Sequence, residues 1–148
     1  FCLLSGYVHD LITQGTITTS GKFAGGIAAQ TENATIERCQ SKVTINSSVN
    51  GDGTHGGIMG ISRQGSIVRD CLIDGAITGT QTTCCGGVSG WADGTTSISN
   101  CLITSEFDVG ISGSDLLSRN SSKVTSSRNF FQGVWEAANA CGDVTLLT

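Results

Sequence analysis

Val68-Arg69-Asp70-Cys71-Leu72-Ile73-Asp74-Gly75-Ala76-Ile77 and, thirty residues on, Ile98-Ser99-Asn100-Cys101-Leu102-Ile103-Thr104-Ser105-Glu106-Phe107 are two copies of one pattern. In each, a β-branched residue stands three places before a cysteine and an apolar residue six places after it. Cys39, 32 residues before Cys71, carries Ile36 and Ile45 in the same places. Leu11 extends the frame backwards with Val8 and Ile17. Forwards the frame weakens, with Phe130 in the cysteine place and Asn129 before it. Self-similarity at a period of this length is the signature of stacked repeat architectures.

A second landmark falls between these copies. Gly25-Gly26-Ile27, Gly56-Gly57-Ile58 and Gly86-Gly87-Val88 recur at 31 and 30 residues, and a fourth copy decays to Gly113-Ser114-Asp115-Leu116. Short runs rich in β-branched residues lie between Gly, Asn and Asp, which is strand-and-turn chemistry. In the third copy the runs are Cys71–Thr78, Gly87–Trp91 and Ser97–Asn100. The predicted fold is therefore all-β: a right-handed parallel β-helix, or β-solenoid, of about five coils. Each coil takes ~30 residues and three short strands, stacked at ~4.8 Å. The repeats fall roughly at 8–35, 36–67, 68–97 and 98–127, with an aromatic C-terminal cap over 128–148. All belong to one domain, 1–148, which reads as a piece of a larger protein.

Stacking turns equivalent positions into columns. The buried columns expected are Leu11/Cys39/Cys71/Cys101/Phe130, Val8/Ile36/Val68/Ile98, Ile17/Ile45/Ile77/Phe107 and Ile27/Ile58/Val88. Gly26, Gly57 and Gly87 form a glycine column at tight turns. The position before the cysteine reads Asp10, Arg38, Asp70, Asn100, Asn129, which sets Arg38 between two carboxylates.

Composition narrows the function classes. Pro is absent, Gly numbers 21, and 14% of residues are charged, with a net charge of −4. The eight Lys and Arg are scattered, so no nucleic-acid footprint is visible. No apolar run approaches the ~20 residues of a membrane-spanning helix, and no signal-peptide pattern is present. No HExxH, Gly-x-Ser-x-Gly, P-loop or dinucleotide fingerprint occurs.

Gly57-Ile58-Met59-Gly60 and Gly87-Val88-Ser89-Gly90, with Gly26-Ile27-Ala28-Ala29 as a degenerate copy, resemble the GLUG repeat of large bacterial surface proteins. Ile98-Ser99-Asn100-Cys101 and Ile77-Thr78-Gly79 are similar to other stretches of that family, and the resemblance covers about residues 8–105. It implies an adhesin-like, extracellular or cell-surface bacterial setting, and carries over no catalytic residue. Ile and Val stand where the family's name has Leu.

Seven cysteines are an odd number. A ladder of buried thiols is the favoured reading, with a Cys39–Cys71 or Cys71–Cys101 bridge as the alternative. His55, Cys84 and Cys85 have nitrogen and sulfur chemistry that suits zinc or copper, yet no fourth ligand is visible. A surface turn with an incidental histidine is preferred, and no metal or cofactor is expected.

Glycosidic cleavage needs two carboxyls ~5–9.5 Å apart. Asp70 and Asp74 are too far apart on an extended strand, at ~13 Å. Glu106 and Asp108 share a face, but Ala76 and Thr78 stand there one coil back. Catalysis is the alternative reading. A second alternative is a glycan- or ice-binding face made of Thr16/Thr18, Thr44/Asn46 and Ala76/Thr78, with Trp91 as a sugar platform or corner filler. Trp135 and Phe130-Phe131 are expected to plug the end, with Gln132–Cys141 as a short helical turn. The leading expectation is a non-catalytic adhesive or spacer module that meets surface glycans or proteins and associates end to end.

Overall fold

The computed structural model describes residues 1–135 and 144–147. The chain winds as a β-solenoid of about four turns, one fewer than the sequence suggests. Strands β1 (Leu3–His9), β2 (Ile12–Thr19) and β3 (Ala28–Glu37) open the stack. The next turn holds β4 (Gln40–Ser47), β5 (Gly51–Asp52), β6 (Met59–Ser62) and β7 (Ser66–Arg69). The third holds β8 (Leu72–Ile73), β9 (Ala76–Gly79), β10 (Thr82–Thr83), β11 (Ser89–Ala92) and β12 (Thr96–Ser99). Then follow β13 (Leu102–Ile103), β14 (Glu106–Val109), β15 (Val124–Ser127), β16 (Asn129–Gln132) and β17 (Val144–Leu147).

Three faces and a short separate ladder of β5 with β10 result, and every strand pairing is parallel. The first face stacks β1, the second half of β3, β7, β12 and β15. The second stacks β2, β4, β8 with β9, β13 with β14, then β16 and β17. The third stacks the first half of β3, β6 and β11, with isolated bridges along Gly25, Gly56, Gly86 and Asp115.

The register confirms three columns through the middle coils. Val8, Ile36, Val68 and Ile98 are successive partners, as are Ile17, Ile45, Ile77 and Phe107. Leu11, Cys39, Cys71 and Cys101 form the third, by way of the flanking pairs and the bonds from Leu72 to Cys39 and Leu102 to Cys71. Each fully buried isoleucine contributes ~1.5–3 kcal/mol, and Ile36, Ile45, Ile77 and Ile98 are at most 1% exposed.

Two assignments at the C-terminal end are corrected. Leu102 pairs with Phe130 and Ile103 with Phe131, so Asn129, not Phe130, completes the cysteine column. A one-residue slip exchanges the two faces of a strand; accordingly Phe131 is buried at 3% while Phe130 is 38% exposed. The fourth glycine landmark likewise moves to Asp115-Leu116-Leu117, because Gly86 bridges Asp115 and Val88 donates to Leu117. The run Cys71–Thr78 is broken at Asp74-Gly75 into β8 and β9.

The corners have a common device. Asp10, Arg38, Asp70, Asn100 and Arg128 all adopt left-handed backbone, with φ between 51° and 56°. A single left-handed residue turns an extended chain sharply, at ~1–2 kcal/mol for a side-chain-bearing residue. The thiols that follow help to hold the bend: Cys39, Cys71 and Cys101 donate to the carbonyls of Glu37, Arg69 and Ser99, at 3.3, 3.2 and 3.3 Å. Phe23, Thr54, Cys84 and Gly113 make a second left-handed ladder, and there Cys85 donates to the Thr83 carbonyl. Cys2, Cys39, Cys71, Cys84, Cys85 and Cys101 are all free.

The glycine landmark owes less to turn dihedrals than to inter-coil closeness. A Cβ on Gly57 would lie 2.4 Å from the Gly87 carbonyl oxygen of the next coil. At the C-terminal end Trp135 is buried and stacks on Phe107 with ring centroids 4.0 Å apart, consistent with an aromatic plug. The expected helical turn after it runs into residues 136–141, outside the described residues.

Candidate functional site

The outward side of the second face is the broadest regular surface on which the candidate binding residues meet. Alternation along β2, β4, β9 and β14 sends Ile17, Ile45, Ile77 and Phe107 toward the core. Their neighbours point outward in two rows, Thr16/Thr44/Ala76/Glu106 and Thr18/Asn46/Thr78/Asp108. Thr16, Thr18, Asn46, Glu106 and Asp108 are exposed. Thr78 Oγ1 donates to Asn46 Oδ1 at 2.7 Å, and Thr104 Oγ1 to Asp74 Oδ1 at 2.8 Å. The face is thus hydroxyl- and amide-rich over three coils and acidic on the fourth.

The acidic pairs sit apart from one another. Glu106 and Asp108 lie two residues apart on β14, side by side at the acidic end. Asp70 belongs to the corner ladder, where its Oδ1 accepts from Asn100 Nδ2 at 3.1 Å. Arg38 is not shared between Asp10 and Asp70. Its Nε and Nη2 donate to the two carboxylate oxygens of Asp10, at 2.9 and 3.1 Å, and Nη1 reaches Glu37 at 3.1 Å. The Arg38 guanidinium, helped by His9, holds the Asp10 carboxyl well below the usual carboxylate range.

His55 is not on a surface turn; it is fully buried. Its Nδ1 accepts the Ala24 N–H at 3.2 Å, so Nε2 carries the ring proton and donates to Ser47 Oγ at 2.9 Å. Ser47 Oγ lies 2.9 Å from Thr82 Oγ1, which donates to the Val49 carbonyl at 2.7 Å. In this tautomer the ring offers Ser47 no lone pair, so the pair lacks the base that a serine nucleophile needs. Burial lowers the His55 pKa to about 4 and raises that of Cys85 to about 11. His55 and Cys85 are stacked neighbours, since Gly86 N–H donates to the His55 carbonyl. Cys84, with φ 61°, is the corner residue beside them. Among the described residues no three His, Cys, Asp or Glu side chains converge as a metal site.

Trp91 pairs with Ile61 and is half-buried, and the Arg119 guanidinium lies 4.6 Å over its ring. One ring face is therefore taken within the protein. Arg119 Nη1 also donates to Asp52 Oδ1 at 3.0 Å, to Thr54 Oγ1 at 3.2 Å and to the Cys84 carbonyl at 2.9 Å. This ties the second corner ladder together across coils. The sequence had no signal for it, because Arg119 and Asp52 stand 67 residues apart.

No family model, curated protein or solved structure matches the chain. No helix among the described residues is long and apolar enough to cross a membrane.

Proposed function

We propose that this chain is a non-catalytic repeat module of a bacterial cell-surface or secreted protein, serving as an adhesive or structural spacer. The observation that carries the reading is the in-register outward rows of β2, β4, β9 and β14. Thr16, Thr18, Thr44, Asn46 and Thr78 offer hydroxyl and amide groups at the coil spacing, ~4.8 Å, to the hydroxyls of a surface glycan or to a protein partner. The GLUG-like glycine landmarks support the extracellular bacterial setting. The parallel edges of β1 and β2 at one end and β17 at the other support end-to-end association.

A glycan array run beside a polysaccharide-cleavage screen tests the reading. Saturable retention without product release is expected, and Thr18→Tyr with Thr78→Tyr should abolish retention. Cleavage that disappears in Glu106→Gln or Asp108→Asn would replace the reading with a polysaccharide-cleaving enzyme. Thermal hysteresis lost in the Thr→Tyr variants would replace it with ice binding.

A further inference from the structure

A groove runs along the corner where the second face begins, apart from the outward rows. In Leu72-Ile73, Leu102-Ile103 and Phe130-Phe131 only one residue of each pair can face inward on a strand. Ile73, Ile103 and Phe131 take the inward place, at 1%, 0% and 3% exposure. Ile12, Gln40, Leu72, Leu102 and Phe130 consequently form one outward column, apolar apart from Gln40, and the column passes to Thr145 of β17 at its end. Between this column and the corner residues lies a groove of about 730 Å³, with Cys39, Cys71 and Cys101 also lining it. The groove is open to solvent along its length, so it seats one side of a ligand and does not enclose it. Five rungs at the coil spacing make it ~19 Å long.

Three features define what fits. The apolar strip is one side chain wide, far short of the ~800 Å² per partner that a stable protein interface buries. Its occupant is therefore slender rather than a second copy. The floor joins Ile12, Leu72, Leu102 and Phe130 to three thiols and Gln40, and the polar groups of the rim are largely spent on one another. Arg38 is held by Asp10, and Asn100 donates to Asp70 and accepts from Arg128 Nε at 2.6 Å. Ring hydroxyls of a sugar would find few partners there. Finally, among the described residues no carboxylate pairs with the Arg128 guanidinium, while Asp70 occupies mid-groove. An anion is favoured at the Arg128 end and disfavoured at the centre.

We infer that the groove binds a single-chain anionic amphiphile, a long-chain carboxylate. Its alkyl chain lies along Leu72, Leu102 and Phe130, parallel to the stack, and its head meets Arg128. This site is separate from the glycan-facing rows and stands whether or not they bind a glycan.

Displacement of the fluorescent carboxylate cis-parinarate by palmitate, on the 148-residue chain, tests it. Saturable one-to-one binding is expected. Leu102→Asp should weaken it at least tenfold, Leu72→Gln should weaken it less, and Thr78→Asp on the outward rows should leave it unchanged. Arg128→Gln should weaken palmitate several-fold but not a neutral monoacylglycerol, and Arg128→Lys should restore it. Circular-dichroism melts matching wild type would show that the variants are folded; if Leu102→Asp fails to fold, Leu72→Gln and Arg128→Gln decide. No saturable binding by wild type, or equal binding in Leu72→Gln and Arg128→Gln, overturns the inference. So does a palmitate-sensitive dimer on gel filtration, which would make a second copy the occupant.

Discussion

Cys39, Cys71, Cys101 and Cys85 each follow a left-handed residue, and each thiol donates to the carbonyl two residues back. A short side chain that satisfies the carbonyl beside a bend suits a buried corner, and a thiol does so with little desolvation cost because it is a weak donor. Burial raises the pKa of Cys39 as it does that of Cys85, so these two thiols stay protonated. The recurrence of cysteine was legible in the sequence, and its spacing favoured thiols over a bridge, but the role of each thiol at a bend was not. Asp10, Asp70 and Asn100 are ordinary turn chemistry, whereas Arg38 and Arg128 in left-handed backbone carry no such signal. The burial of His55 was hidden too, because it depends on Ala24 and Ser47, which only coiling brings near. That burial has a measurable consequence. The unfolded chain binds the His55 proton with a pKa of about 6.5, and the folded protein only near about 4. Between those values the unfolded state holds more protons, so stability falls as pH drops from about 6.5 to about 4, by roughly 3 kcal/mol at most. Chemical denaturation across pH 7 to 4.5 should show this slope, and His55→Asn should flatten it. An unchanged slope in the variant would place the titrating group elsewhere. The lowered carboxyls Asp10, Glu37 and Asp52 act from about pH 4.5 downwards, overlapping only the acid edge of this window, and their protonation removes further stability.

Among elements, the middle coils were readable and the ends were not. A thirty-residue period combined with the two-residue alternation of strands fixes register twice over, so the Ile17/Ile45/Ile77/Phe107 column emerged correctly. In the last coil the first constraint lapses, since 28 residues separate Cys101 from Asn129 and the glycines are replaced by Asp115-Leu116. Phe130 then took the cysteine place in a frame carried forward at nearly the same period. Asn129 in fact closes the cysteine column with its amide, accepting the Cys101 N–H at 3.0 Å and donating to the Ile98 carbonyl at 2.9 Å. The outward leucines were also missed, because an apolar residue on a strand does not declare its side until register is known. Glycine spacing was read correctly, though its cause is the neighbouring coil. Gly57→Ala should cost about 1–3 kcal/mol, as overpacking does, because its methyl would meet the Gly87 carbonyl and Ile73 Cγ2, each at 2.4 Å. Urea unfolding measures this; a neutral result would mean that the coils pack less closely than described.

For the whole molecule, stability rests on columns that cross every coil, so a change at one rung acts on its neighbours above and below. The same property makes adjacent residues on a strand unequal in a way that no sandwich of short antiparallel strands would place at these positions. Ile77 is 1% exposed, between Ile45 and Phe107, while Thr78 points outward between Asn46 and Asp108. Lysine at position 77 buries an unpaired charge and removes a core side chain, an effect expected to exceed about 4 kcal/mol. Lysine at position 78 loses the bond to Asn46 but holds its ammonium in solvent near Asp108, and should change stability by no more than about 1 kcal/mol. The most direct measurement is urea unfolding of Ile77→Lys beside Thr78→Lys. A stacked parallel solenoid requires the first to be unfolded or nearly so and the second to stay close to wild type; equal losses, or the reverse order, would contradict it.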